Sequence, residues 1–216
     1  MWLIILFILV ILISFFLALY SMKDFLIKPE GKSGYGVYLV RNLGNFNIQS
    51  LNLILENILK KDLISFERLF KDRESALVIF GPSSLLKFKD LNLLELEDYT
   101  SLDLNKLSVF EAHLKSAENL KDNLPILSKQ ERIWIQAICK DSKGQIGCQI
   151  RIVIYSENRL KELVDEFQDN FKKTLVKVPK PYSKSQLFEF YKQRALIKEE
   201  VDKLTLENIL NLSLFI

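Results

Sequence analysis

The most regular pattern in the chain comes first. Residues 2–20, WLIILFILVILISFFLALY, carry no charge and one serine, Ser14. Nineteen helical residues at about 1.5 Å each reach roughly 28 Å, close to the hydrocarbon thickness of a bilayer. A core helix would show a polar stripe, and none is present. A secretory leader would need a basic start, a shorter core and a small-x-small cleavage site, whereas Ala18-Leu19-Tyr20 ends in a bulky ring. The pattern therefore predicts one transmembrane helix, with Trp2 and Tyr20 at its two ends, where amphipathic rings favour the headgroup region.

Beyond a linker containing Pro29 and Gly31, the period changes twice. Residues 35–41 are β-branched and aromatic and predict a strand, while Ile48, Leu51, Leu55, Ile58 and Leu59 recur at helical spacing over 47–60. Residues 63–70 and 76–80 predict a hairpin around the charged run 71–74. Gly81-Pro82 ends it, a short helix follows through Leu85, Leu86 and Phe88, and 93–96 supplies a fourth strand. A second round then begins with a strand at 109–114 and a short helix at 117–127. Residues 133–140 and 145–155 form a hairpin turning at Asp141-Ser142-Lys143-Gly144. Ile146, Cys148, Ile150, Ile152 and Ile154 alternate with Gly147, Gln149, Arg151 and Val153, as in a sheet with one packed and one more polar face. Leu160, Leu163, Val164 and Phe167 mark an amphipathic helix, and 174–178 closes the round. Ser183 with Gln186 predicts a capping box opening a helix to Lys203, and Thr205 predicts the cap of another.

Two successive βαββαβ orders predict an α+β protein: tandem ferredoxin-like modules behind the membrane helix, with helices at the C-terminus. The expected divisions are a transmembrane anchor at 1–21, a juxtamembrane linker at 22–33, a first module at 34–100, a second at 101–180 and a helical segment at 181–216. The apolar end of the chain, LENILNLSLFI, has two readings. It is a last helix packed on the sheet, or a contact for a partner through Ile209, Leu210, Leu212, Leu214 and Phe215.

Charge refines location more than function. Lys23, Lys28 and Lys32 follow the apolar run and no basic side chain precedes it, which places the C-terminal part on the cytoplasmic side of the cell membrane. Thirty basic against twenty-seven acidic residues leave +3, too little and too dispersed to argue for nucleic acid. Two cysteines make no disulfide framework.

Candidate chemistry is sparse. Gly31-Lys32-Ser33 lacks the second glycine of a phosphate-binding loop, since position 26 is Leu. One histidine and two cysteines cannot supply a usual metal site, and no cofactor is expected. His113 on a strand, the pair Cys139 and Cys148 beside the hairpin turn, and the carboxylates Glu95, Glu97 and Asp98 each have a structural reading that is the more economical one. Where an RNA-binding sheet would offer stacking rings, this chain has Gln145, Gly147 and Gln149. No catalytic or metal residue is assigned.

The run Ser65-Phe66-Glu67 through Ala76-Leu77-Val78-Ile79-Phe80, followed by a short helix and Leu93-Leu94-Glu95-Leu96-Glu97-Asp98-Tyr99, resembles the membrane-proximal, non-ATPase region of bacterial type IV secretion or conjugation-like ATPases and related DNA-translocase proteins. The segment LTLENILNLSLF is similar to the stretch before their motor domain. The resemblance covers residues 34–216 and carries no catalytic residue across, and this chain stops where the ATPase would begin. It implies a non-enzymatic scaffold or accessory protein. Its expected contacts are the membrane through residues 2–20 and a protein partner, either a second copy of itself or a separate motor ATPase. The alternative is a membrane-tethered domain that binds nucleic acid or a ligand.

Overall fold

A computed structural model describes residues 2, 7, 9–14, 26–27, 34–59, 62–97, 100–116, 120–142, 144–179, 181–197 and 201–215. Residues 9–14 are helical. Most of the membrane helix expected over 2–20 lies outside the described residues, and among these no helix is long and apolar enough to cross a membrane.

The rest is a mixed α and β protein built on one large antiparallel sheet. Its strands are β1 (Tyr35–Val40), β2 (Ile64–Lys71), β3 (Glu74–Pro82), β4 (Leu93–Leu96), β5 (Leu107–Leu114), β6 (Arg132–Ser142), β7 (Gln145–Tyr155) and β8 (Leu175–Val178). They lie in the order β4-β1-β3-β2-β6-β7-β5-β8. The first four strands and the last four thus show the same arrangement in mirror sequence, joined where β2 meets β6. That seam runs the whole length of β2, from Ile64 opposite Cys139 to Lys71 opposite Arg132.

Four helices dress the sheet. Helix α1 (Ile48–Ile58) starts at a reciprocal cap between Asn47 and Ser50 and buries Leu51, Ile54, Leu55 and Ile58. Helix α2 (Leu160–Phe171) buries Leu163, Phe167 and Phe171, the amphipathic stripe expected of it. Helix α3 (Lys184–Lys192) opens on the predicted Ser183–Gln186 capping box, and α4 (Leu206–Leu214) on Thr205. Helices α1, α2 and α4 cover one face, with α4 packed against α1, β2 and β6. Stacked and tilted rings run from α2 to β2: Phe167 to Phe171 at 4.4 Å, Phe171 to Phe215 at 5.8 Å and Phe215 to Phe70 at 4.8 Å. Helix α3 covers the opposite face, where Leu187, Phe188 and Tyr191 meet Leu107, Val109, Trp134 and Val153.

Three expectations need correction. The helix placed at 117–127 is absent from the described part of that stretch, which holds a 3-10 turn at Lys121–Asn123 and then no regular structure. Pro125 and the lack of an apolar stripe leave nothing to sustain a helix there. The short helix after Pro82 is likewise 3-10, Ser83–Lys87. The helix expected from Ser183 to Lys203 ends at Lys192. Arg194 takes a left-handed φ of 47°, and the backbone beyond it turns extended. Leu196–Ile197 then pairs with Leu26–Ile27, and Asp202–Lys203 adds to β7 opposite Cys148 and Gly147.

Candidate functional site

The alternation on β7 reads as a polar face, and the fold gives that face a cover. Four mid-strand polar side chains fall into direct register: Glu67 on β2 opposite Gln136 on β6, Gln136 opposite Arg151 on β7, and Arg151 opposite Glu111 on β5. All four are buried. Helix α3 and the segment to Ile197 lie over them as a strap.

Each member of the row holds a neighbour or the strap. Arg151 Nε donates to Glu111 Oε1 at 2.9 Å, Nη2 donates to Gln149 Oε1 at 2.9 Å, and Nη1 reaches the carbonyls of Phe190 and Ala195. Gln149 treats Ile197 as a strand would: its Nε2 donates to the Ile197 carbonyl at 2.7 Å and its Oε1 accepts from the Ile197 N–H at 2.8 Å. Gln136 Nε2 donates to Glu67 Oε1 and to the Tyr191 carbonyl. Glu67 Oε1 also accepts from Ser65 Oγ and from Arg194 Nε at 3.1 Å. The charges therefore balance as Glu67 with Arg194 and Glu111 with Arg151. Burial pushes the Arg151 pKa down, and Glu111 acts against that shift.

Chemically the row is a clamp. Arg151 Nη1 and Gln136 Nε2 reach strap carbonyls, the Arg151 bonds being strengthened by its charge. Interior pairing of this kind fixes which segment lies on the face, while contributing less net stability than apolar packing would. Glu67, Gln136, Arg151 and Glu111 went unremarked in the sequence as a set. Their signal was a polar residue at a mid-strand position in each of four largely apolar strands, and only the register shows that the four positions coincide.

The residues singled out from sequence fall elsewhere. His113 is half exposed, its Nδ1 2.6 Å from Asp202 Oδ1, while Asp202 Oδ2 accepts from the Leu114 N–H. His113 and Asp202 both line a small cavity of about 10 Å³, which Cys148 also borders. Cysteine, histidine and aspartate in one place suggest a nucleophile, but burial, Cys139 and Asp202 push the Cys148 thiol well up, away from the reactive thiolate. The cavity also has no room for a substrate. Cys139 and Cys148 are fully buried free thiols with sulfurs 2.7 Å apart. Glu95 and Glu97 are exposed at the edge of the sheet, Asp98 lies outside the described residues, and His113 on β5 is separated from Glu95 on β4 by five intervening strands. Among the described residues no cluster of His, Cys, Asp or Glu could hold a metal ion. Of the apolar C-terminal residues, Ile209, Leu212 and Phe215 are buried in the chain's own core, and Leu210 and Leu214 pack partly buried against it. That is the packed-helix reading, and it takes these side chains off the surface.

No protein-family model matches the chain, and no curated protein does either.

Proposed function

We propose that this chain is a single-pass membrane protein whose C-terminal part is a non-enzymatic scaffold, two tandem ferredoxin-like modules sharing one sheet, held at the cytoplasmic face as an accessory of a secretion or DNA-translocation assembly. The observation that carries the membrane reading is exposure. Residues 9–14 advance about 100° each and so cover every side of a helix, and Leu9, Val10, Ile11, Leu12 and Ile13 are each at least half exposed, as are Trp2 and Phe7. A helix apolar all round, with its described residues exposed on every side, belongs in lipid.

The module reading rests on strand order. A βαββαβ unit places its strands as 4-1-3-2, and each half of this sheet has that order. The non-enzymatic reading is supported by the clamp, whose charged groups are paired with each other or with the strap. The nucleic-acid alternative loses its usual surface, because the central strands' face away from α1, α2 and α4 is occupied by α3 and holds Glu67 and Glu111. A protein partner is the better fit.

Membrane fractionation tests the reading. The full chain is expected to stay in the pellet through high salt and alkaline carbonate. Replacing Leu9 and Leu12 by lysine is expected to move it to the supernatant, since each charge costs about 3 kcal/mol at the centre of a span. Release of the unmodified chain by carbonate sinks the proposal.

A further inference from the structure

The sheet ends in two open edges. Among the described residues β4 pairs with β1 alone and β8 with β5 alone, so each strand presents an outer row of backbone donors and acceptors. Exposure agrees. Leu94, Glu95 and Glu97 are exposed at one edge, and Lys172, Lys173 and Lys177 at the other. Such an edge is a template for one more strand. Both strands have only four residues, a length that limits indiscriminate pairing.

Charge selects what each edge accepts. Residues 93–97 carry two carboxylates and no basic group, whereas residues 172–178 carry three lysines and no acidic group. Among the described residues no salt bridge engages Glu95, Glu97, Lys173 or Lys177. Pairing β4 with a second β4 sets glutamates against glutamates, and pairing β8 with a second β8 sets lysines against lysines. Both are unfavourable, whereas β4 on β8 joins opposite charges.

The topology permits that union. Every neighbouring pair in the row of eight strands is antiparallel, so β4 and β8, at its two ends, run in opposite directions. A second copy shifted along the row without being turned over therefore lays its β4 antiparallel to β8 of the first. The faces match as well. Glu95 lies opposite Tyr38 and Lys177 opposite Ala112, and both neighbours belong to the core beneath α1, α2 and α4. In the register that sets Glu95 of one copy opposite Lys177 of the next, Leu94 meets Val178 and Leu96 meets Val176 on the other face. Glu97 then has Lys173 and Lys177 as diagonal neighbours, within reach of long side chains.

We propose that copies of this chain associate head to tail, β4 of one adding to β8 of the next as a continuation of the sheet. The contact is heterologous, so each pairing leaves one acidic and one basic edge free for further copies. The inference rests on the scaffold reading and names its partner as a second copy.

The full chain in detergent micelles, treated with a zero-length carbodiimide and digested, tests the contact by mass spectrometry. Within one copy Glu95 and Lys177 are separated by seven strand spacings, about 34 Å along the sheet, so an amide between them has to join two copies. That cross-link is expected, together with a mass above the monomer in sedimentation. Glu95→Lys with Glu97→Lys, and separately Lys173→Glu with Lys177→Glu, should each weaken self-association at least about tenfold. An equimolar mixture of the two variants should restore it, because each then meets a complementary edge. All these positions are exposed, and circular dichroism of each variant is expected to match the unmodified chain. A chain that stays monomeric, a missing Glu95–Lys177 cross-link, undiminished self-association of either variant, or a mixture that remains monomeric would overturn the proposal. A monomer that still resists carbonate extraction would sink the pairing while leaving the membrane scaffold in place.

Discussion

Glu131 shows how single residues replace the missing helix near 117–127. Its Oε1 accepts from Arg159 Nε at 2.6 Å and Ser156 Oγ, and its Oε2 from Arg159 Nη2 at 2.9 Å and the Ser128 N–H at 2.7 Å. Arg159 also donates to the Ile126 carbonyl at 2.8 Å, so one ion pair ties the irregular stretch to the start of α2. Burial alone would raise the Glu131 pKa, but the bonds from Arg159 and Ser128 overcome it and hold the carboxyl below the ordinary glutamate range. A carboxylate whose folded pKa is depressed contributes stability that is fully present above its unfolded pKa, about 4.3. That contribution is lost as pH falls through the folded value. Glu131→Gln is therefore expected to cost about 2 kcal/mol at pH 7, from the charge-assisted bonds it removes. The gap between variant and unmodified chain should begin to narrow below about pH 4.3 and keep narrowing as pH falls through the lower folded value. Urea unfolding at pH 7 and at pH 3 checks both, and a gap no smaller at pH 3 than at pH 7 contradicts the assignment.

At the level of elements, periodicity located strands and helices where one face was apolar and the other was not. Helices α1, α2 and α4 and the β6–β7 hairpin were legible for that reason, and the caps at Ser183 and Thr205 were legible from side-chain chemistry alone. The end of α3 was not, because Gln149, 48 residues away in sequence, captures both backbone groups of Ile197 and so competes with the helix. The clamp was illegible for the same kind of reason: its four polar residues acquire meaning only through cross-strand register. Helix α4 had two readings, and its burial separates them in a measurable way. Leu212, 2 % exposed, packs in the main core, whereas Ile126 is 88 % exposed. Leu212→Ala is expected to cost about 2–5 kcal/mol, and Ile126→Ala under about 0.5 kcal/mol, as read from shifts in the midpoint of urea unfolding. Equal, small effects would place Leu212 at the surface.

At the scale of the whole molecule, the two halves meet along β2 and β6 and share further material on both faces. Helix α4 touches α1 from the first half and β6 from the second, while the strap joins Glu67 through Arg194 to Gln136 and Arg151 of the second half. Neither half can leave this seam without exposing the core of Ile64, Phe66, Ile135 and Cys139 or stranding a buried charge. Cooperative unfolding of the whole sheet with its helices follows. Trp134 makes it observable, since it lies opposite Leu69 across the seam and stacks on Tyr191 of the strap with ring centroids 6.1 Å apart. The expected result in urea is one transition, with Trp134 emission and far-ultraviolet circular dichroism coinciding when Trp2 is replaced by phenylalanine to silence the second indole. Were the emission change to precede the loss of secondary structure, the strap would be leaving a folded sheet. The clamp would then be a latch that opens the central face of the sheet, and the seam alone would account for the union of the two halves.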